Sequence, residues 1–75
     1  MQIKKREVQT MGLKIKLRRI ELGIKQKDLA EKVGVTQQHI GNLESGRCTN
    51  PSRDLMIKIA KELNTDVQTL FFSED

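Results

Sequence analysis

Hydrophobic residues recur every three or four positions along most of the chain, which is the spacing of one face of an α-helix. The first such set is Leu13, Leu17 and Ile20, and we expect these side chains to face the core from the first helix. The only proline is Pro51. No stretch alternates polar and apolar residues over the length of a strand. The pattern therefore predicts an all-helical protein.

The second and third helices are separated by a short turn that contains glycine. The second helix is expected from about Gln26 to Val33, and Gly34 ends it because glycine adopts the left-handed conformation of a helix stop at no steric cost. Thr36 is a favourable N-cap for the third helix, which is expected to end at Ser45. Two helices joined in this way are typical of a helix-turn-helix motif.

Two more helices complete the expected set of five. The fourth begins at Pro51 and stops at Asn64, which tolerates the left-handed conformation, and the last begins after a cap at Asp66. The expected core positions of the second to fourth helices are Leu29, Ala30, Val33, Ile40, Leu43, Met56, Ile59, Ala60 and Leu63, and the last short helix holds Val67, Leu70 and Phe71.

The third helix would present an uncharged polar face to solvent. With 100° between successive residues, the side opposite Ile40 and Leu43 carries Gln37, Gln38, Gly41, Asn42 and Ser45. A helix face that is merely solvated more often carries Lys and Glu. Glutamine and asparagine amides form paired hydrogen bonds with adenine in the major groove, so this face favours base recognition. Gly41 is unfavourable inside a helix, and either a close approach of DNA or drift on an exposed face explains it.

The net charge of +4 is unevenly placed along the 75 residues. Residues 1–27 contain nine Lys or Arg and two Asp or Glu, whereas residues 54–75 contain two and five. A basic N-terminal part suggests a polyanion near one end of the molecule. A solvated helix face is the alternative explanation for such a charge run.

The composition argues against several classes of protein. With one Cys and one His, the chain cannot form an intramolecular disulfide or supply the four ligands of a Cys/His zinc site. The sequence also lacks the paired carboxylates and the phosphate-binding glycine loop that would indicate an enzyme. No apolar run approaches a membrane span. We therefore expect a cytoplasmic protein without metal or cofactor. His39 is expected on the surface, and Cys48 as an ordinary loop thiol.

One combination of residues resembles the Cro/CI-type (Xre-family) helix-turn-helix found in phage repressors. The matching residues are Arg19, Gln26, Leu29, Ala30, Gly34, Ile40, Leu43, Glu44 and Gly46. The resemblance implies a compact five-helix bundle of the lambda-repressor-like DNA-binding type over residues 11–75. Residues 1–10 would precede it, either as a disordered basic arm that reaches DNA or as a tail without a role.

The resemblance also implies roles for individual residues. The residues that would read base edges in the major groove are Gln37, Gln38 and Asn42. The residues that would contact phosphates are Gln26, Lys25, Thr36, Ser45 and Arg47. Arg19 and Glu44 would form a partly buried ion pair that ties the first helix to the third.

Binding as a pair would raise both affinity and specificity, because two half-sites one helical turn apart are read together. Phe71 and Phe72 cannot both face one core, so we expect one to close the bundle and the other to stay exposed, unless both fold over the domain. The candidate dimer surface is therefore the terminal patch of Val67, Leu70, Phe71 and Phe72. The implied function is a homodimeric regulator of transcription that binds a palindromic double-stranded DNA operator, as a repressor rather than an activator. The alternative is an antitoxin that binds a partner protein and represses its own operon.

Overall fold

The computed structural model describes the backbone of residues 3–72 and the side chains of residues 12–72. The helices are α1 (Ile3–Glu21), α2 (Gln26–Val33), α3 (Gln37–Ser45), α4 (Arg53–Glu62) and α5, a single π-helical turn (Gln68–Phe72). All regular structure in this part of the chain is helical, which confirms the all-α prediction.

Short polar side chains start three of the helices, of which the caps at Thr36 and Asp66 confirm the prediction from sequence. The Thr36 hydroxyl accepts a hydrogen bond from the backbone N–H of His39 (3.1 Å), and Ser52 does the same for Leu55 (3.1 Å). The carboxylate of Asp66 accepts a 2.7 Å bond from the backbone N–H of Thr69. Hydrogen bonds from the backbone and side chain of Thr69 lower the pKa of Asp66. These caps fix where α3, α4 and α5 begin.

The ends of the helices also follow local backbone chemistry. Gly34 has φ +81° after α2, and its N–H bonds to the carbonyls of Ala30 and Glu31. Asn64 adopts φ +59° beyond α4. By contrast, α2 begins after Lys25 without a side-chain cap, because a lysine side chain has no oxygen to accept a bond from the backbone N–H groups of the first turn.

One core joins the helices. The largest fully buried side chains are Ile15, Leu29, Ile40, Leu43, Ile59 and Leu63. Helix α3 packs against α1 and α2, α2 also packs against α4, and α5 packs against α1. Leu55 is a buried core residue of α4, whereas Met56, which the sequence placed inward, is only partly buried.

The expectation that Leu13, Leu17 and Ile20 face the core is wrong. These side chains are 49%, 53% and 54% exposed, and α1 instead buries the face that carries Ile15 and Arg19. Two stripes of α1 have helical spacing, and the less hydrophobic one faces α3. The reason is a polar partner on α3, described below, together with a glycine at the contact.

Gly12 lies where α1 meets the end of α3. A Cβ atom at this position would stand 2.6 Å from the carbonyl oxygen of Glu44 and closer still to that of Leu43. Both obstacles are backbone atoms, which cannot swing aside. The absence of a side chain at Gly12 therefore sets how closely α1 and α3 approach.

Arg18 ties α1 to the end of α4. Its Nε donates to the carbonyl oxygen of Leu63 (2.9 Å), and one Nη donates to that of Asn64 (3.1 Å). The other Nη donates to Glu21 (3.3 Å). Carbonyls at a helix C-terminus have no partner within the helix, so a guanidinium is a suitable donor for them.

The first helix begins at Ile3, so the backbone of residues 3–10 continues α1 as a helix. The sequence suggested a disordered basic arm or a tail for residues 1–10. The first two of these residues lie outside the described part of the chain. A contact between this extension and DNA remains a prediction.

Candidate nucleic-acid interface

The side of α3 opposite the core carries polar side chains without charge. Gln37, Gln38 and Ser45 are exposed, and Gly41 and Asn42 are half-exposed. Ile40 and Leu43 point the other way and are fully buried. The chain therefore presents two glutamine amides and one asparagine amide along one side of a short helix, which we call the amide face (Gln37, Gln38, Gly41, Asn42 and Ser45).

A chain of side-chain hydrogen bonds holds one end of the amide face. The Gln37 amide nitrogen donates to the side-chain oxygen of Gln26 at the start of α2 (3.4 Å). The Gln26 amide nitrogen donates in turn to Oε1 of Glu44 (3.0 Å). This arrangement orients both amides and makes Gln26 part of the framework beside the amide face.

Beneath this chain lies the ion pair of Arg19 and Glu44. Nε and Nη2 of Arg19 donate to the two carboxylate oxygens at 2.7 and 3.1 Å, and Nη1 donates to the carbonyl oxygen of Ile24 at 2.9 Å. Only 11% of the Arg19 side chain and 4% of the Glu44 side chain are exposed. The Arg19 guanidinium therefore joins α1 to α3 through the two-pronged contact with Glu44, and joins α1 to the turn before α2 through the Ile24 carbonyl.

The five residues predicted to contact phosphate differ in how exposed they are and in how far their polar groups are already hydrogen-bonded. Lys25 and Arg47 are exposed. The Thr36 oxygen caps α3 but its hydroxyl hydrogen can still be donated, and the Ser45 hydroxyl donates to the Asn42 carbonyl (3.3 Å). Gln26 is half-buried and bonded at both ends of its amide.

The predicted dimer patch does not form one free surface. Leu70 is 3% exposed and belongs to the core, and Val67 and Phe71 are partly buried and pack against it. Phe72 is 57% exposed. The prediction that one of the two aromatics closes the bundle and the other stays exposed is confirmed. Of the four residues, Leu70 is a core residue and only Phe72 is freely exposed, and a role of these residues in dimerisation stays a prediction.

Two structural residues were missed by reasoning from the sequence. Gly12 and Arg18 determine how α1 sits against α3 and α4, yet neither belongs to a recognisable local motif. Their partners are backbone carbonyls far away in the sequence. Finding them requires knowing how the helices pack against one another.

An open cleft beside the turn between α2 and α3 has mixed lining, which includes His39, Cys48, Pro51 and Lys58. Cys48 is a free thiol that packs against the core. Within the described residues, no three His, Cys, Asp or Glu side chains are grouped as metal ligands would be. None of the described helices is both long and apolar enough to cross a membrane.

A family model and individual proteins of similar sequence indicate the same family for this chain. A family model described as helix-turn-helix matches residues 15–70. An uncharacterised HTH-type transcriptional regulator of Archaeoglobus fulgidus is 40% identical over 65 residues, covering 87% of this chain and 91% of that protein. The HTH-type transcriptional regulator SinR of Bacillus subtilis is 37% identical over 60 residues, which cover 80% of this chain and 54% of SinR.

A solved structure shows the same arrangement of helices. SinR, the master regulator for biofilm formation, in complex with DNA, superimposes with a TM-score of 0.76 at 37% identity. The match covers 80% of this chain and 95% of that one.

Proposed function

Because the chain belongs to the Cro/CI-type helix-turn-helix family of transcriptional regulators, we propose that it is a sequence-specific binder of double-stranded DNA. Its lambda-repressor-like fold is the expected one. The observation that carries the proposal is the amide face of α3, with one end held by the bonds from Gln37 through Gln26 to Glu44. A helix fits the major groove, where side-chain amides distinguish bases.

Gln37, Gln38 and Asn42 read base edges in this proposal. Gln38 has the freest position of the three, being exposed near the start of α3. Gln37 is restrained by its 3.4 Å bond to Gln26. Restraint before binding lowers the entropy lost when an amide pairs with a base.

Phosphates are contacted by the residues around this face. Lys25 and Arg47 contribute charge, and the hydroxyls of Thr36 and Ser45 contribute hydrogen bonds. The Gln26 amide nitrogen has a second hydrogen beyond the one given to Glu44, so it can donate to a phosphate without leaving the framework. Such contacts fix the register of the protein on DNA without reading sequence.

The functional form we propose is a homodimer on a palindromic operator. One short recognition helix makes few base contacts, and each good pair contributes only ~1–3 kcal/mol of discrimination. Two copies on half-sites about 34 Å apart add both their phosphate and their base contacts. Occupying an operator blocks access to that DNA with no further activity, which is why we propose repression. The antitoxin alternative has no support from the relatives or the structure.

The test is selection of binding sites from random duplex DNA at about 150 mM salt, where phosphate-driven binding without specificity is weakened. We expect a two-fold symmetric site. Gln38→Ala should lose preference at one position of each half-site and ~1–3 kcal/mol on the selected DNA. The matched control is Arg47→Ala, because Arg47 is an exposed predicted phosphate contact that holds none of the three amides; it should weaken binding to all sequences similarly. Failure to enrich any sequence would contradict the proposal.

A further inference from the structure

Three side chains form a line of hydrogen bonds from the buried ion pair to the amide face. Oε1 of Glu44 accepts a bond from the Gln26 amide nitrogen at 3.0 Å, and the Gln26 side-chain oxygen accepts one from the Gln37 amide nitrogen at 3.4 Å. We call this line the amide relay (Glu44, Gln26 and Gln37). Its inner end is almost fully buried and its outer end is exposed. The relay therefore connects a fixed group inside the protein to an amide on the outer side of α3.

The inner end of the relay allows only one direction of hydrogen bonding. A carboxylate accepts hydrogen bonds and cannot donate them. Nε and Nη2 of Arg19 donate to the two oxygens of Glu44 at 2.7 and 3.1 Å, so this carboxylate is held in place. Gln26 therefore turns its nitrogen toward Glu44, because the opposite orientation would bring two oxygens together with no hydrogen between them.

This direction passes on to the exposed amide. With its nitrogen on Glu44, Gln26 turns its oxygen to Gln37, and Gln37 forms the bond by turning its own nitrogen inward. The oxygen of Gln37 then faces away from Gln26. In the major groove, the amino groups of adenine and cytosine are donors, whereas O6 of guanine and O4 of thymine are acceptors. An outward oxygen matches the amino-bearing bases and opposes the keto bases.

We propose that Glu44 is a positioning residue for base reading, which acts through Gln26 to present the oxygen of Gln37 to the amino group of adenine or cytosine. The inference rests on the proposed function, since it takes Gln37 as a base reader, and it adds the direction of the hydrogen bond. Gln38 is exposed and lies outside the relay, so its amide can turn over to suit either kind of base. The two adjacent glutamines therefore differ in which bases they can read.

The first experiment removes one amino group from the DNA. Site selection with Gln37→Ala identifies the base pair that Gln37 reads, as the position where preference is lost. Every base pair has one amino group in the major groove, on adenine or on cytosine. An analogue of that base without its amino group should weaken binding of the parent chain at least about fivefold more than binding of Gln37→Ala, which registers only the change in the DNA itself.

Gln26→Met interrupts the relay and leaves the ion pair of Arg19 and Glu44 in place. Because Gln37 can then turn over, we expect the effect of the amino group to disappear at its base pair, while the preference at the base pair read by Gln38 is kept. The matched control is Arg47→Ala, which removes a proposed phosphate contact outside the relay. It should weaken binding to all sequences and keep the effect of the amino group.

Glu44→Gln tests the carboxylate itself. The shorter bond from Arg19, 2.7 Å from Nε, goes to Oε2, so we expect the oxygen of the new amide to take this place and its nitrogen to face Gln26. Gln26 and Gln37 should then both turn over. The preference at this base pair should change from the amino-bearing base to the keto base on the same strand, whereas a purely structural role would only weaken binding. Circular dichroism checks the fold, and Gln26→Met tests the relay without disturbing the ion pair.

The outcomes separate this inference from the proposed function. If Gln37→Ala leaves the preference unchanged at every position, Gln37 is not a base reader, and its proposed role fails together with the relay. If Gln37 reads a base pair but the amino group has no effect that depends on Gln37, the relay alone is overturned. The relay is equally overturned if that effect persists unchanged in Gln26→Met or in folded Glu44→Gln.

Discussion

The inner side of α3 is enclosed by α1 and α2, whereas its outer side is exposed or half-exposed. On the inner side Leu43 is fully buried, Glu44 holds Arg19, and the backbone touches Gly12. On the outer side Gln38 has no required role in packing. In the proposed complex, this nine-residue helix uses its inner side for stability and its outer side for recognition, so substitutions on the two sides should have different consequences.

The largest effect is expected from breaking the buried ion pair on the inner side. Glu44→Ala leaves the Arg19 guanidinium desolvated without its partner, and we expect a loss of ~3–5 kcal/mol of unfolding free energy. This is a large share of the unfolding free energy of a domain of this size, which is about 0.05–0.15 kcal/mol per residue. Urea denaturation followed by circular dichroism measures it.

A double substitution separates the pair's charge from its packing. Arg19→Met combined with Glu44→Met removes both charges and should destabilise the protein less than Glu44→Ala alone, because no unpaired charge remains. A double variant as unstable as Glu44→Ala would mean that packing, rather than the uncompensated charge, causes the loss.

A smaller loss is expected where α1 approaches α3. Gly12→Ala puts a methyl group against two backbone carbonyl oxygens, one of them 2.6 Å away. Overpacking of this kind costs ~1–3 kcal/mol, and the better helix propensity of alanine offsets up to ~1 kcal/mol of it. We expect a net decrease in the urea midpoint. A midpoint equal to or above that of the parent chain would show that α1 shifts freely on α3.

The same contrast explains which features of the fold could be predicted from sequence. The helix starts at Thr36 and Asp66 depend on a side chain that accepts a bond from the backbone N–H three residues later, so local reasoning finds them. The buried face of α1 depends on partners far along the chain. Hydrophobicity alone favours burial of the α1 face that carries Leu17. The partner of Arg19, the carboxylate of Glu44, lies on α3, and the face with Arg19 is therefore the one that is buried.

The candidate site divides in a similar way. The amide face was predictable because Gln37, Gln38 and Asn42 share a helix face by spacing alone. The bonds that hold Gln26 between Gln37 and Glu44 were not, because they join residues on two helices. Family resemblance implied the pairing of Arg19 with Glu44, which the periodicity of α1 could not indicate.

The outer side of α3 has its own glycine, and here we expect the opposite sign on stability. A Cβ atom at Gly41 would meet only the Gln26 amide nitrogen, at an ordinary 3.8 Å, and Gly41 does not have a positive φ. Gly41→Ala should therefore stabilise the helix by ~1 kcal/mol, or about 4–8 °C in Tm for a domain of this size. Thermal unfolding of Gly41→Ala beside Gly12→Ala measures the contrast directly.

If the fold gains from alanine at Gly41, the reason for glycine lies outside the isolated chain. In the proposed complex, the middle of the amide face lies against DNA, and a missing side chain allows backbone to approach a base edge closely. We expect Gly41→Ala to weaken binding to the selected operator by ~1–3 kcal/mol while the protein becomes more stable. Unchanged affinity, measured by fluorescence anisotropy at the same salt, would instead identify Gly41 as drift on an exposed helix. Opposite shifts in Tm and affinity would place stability on the inner side of α3 and recognition on the outer side.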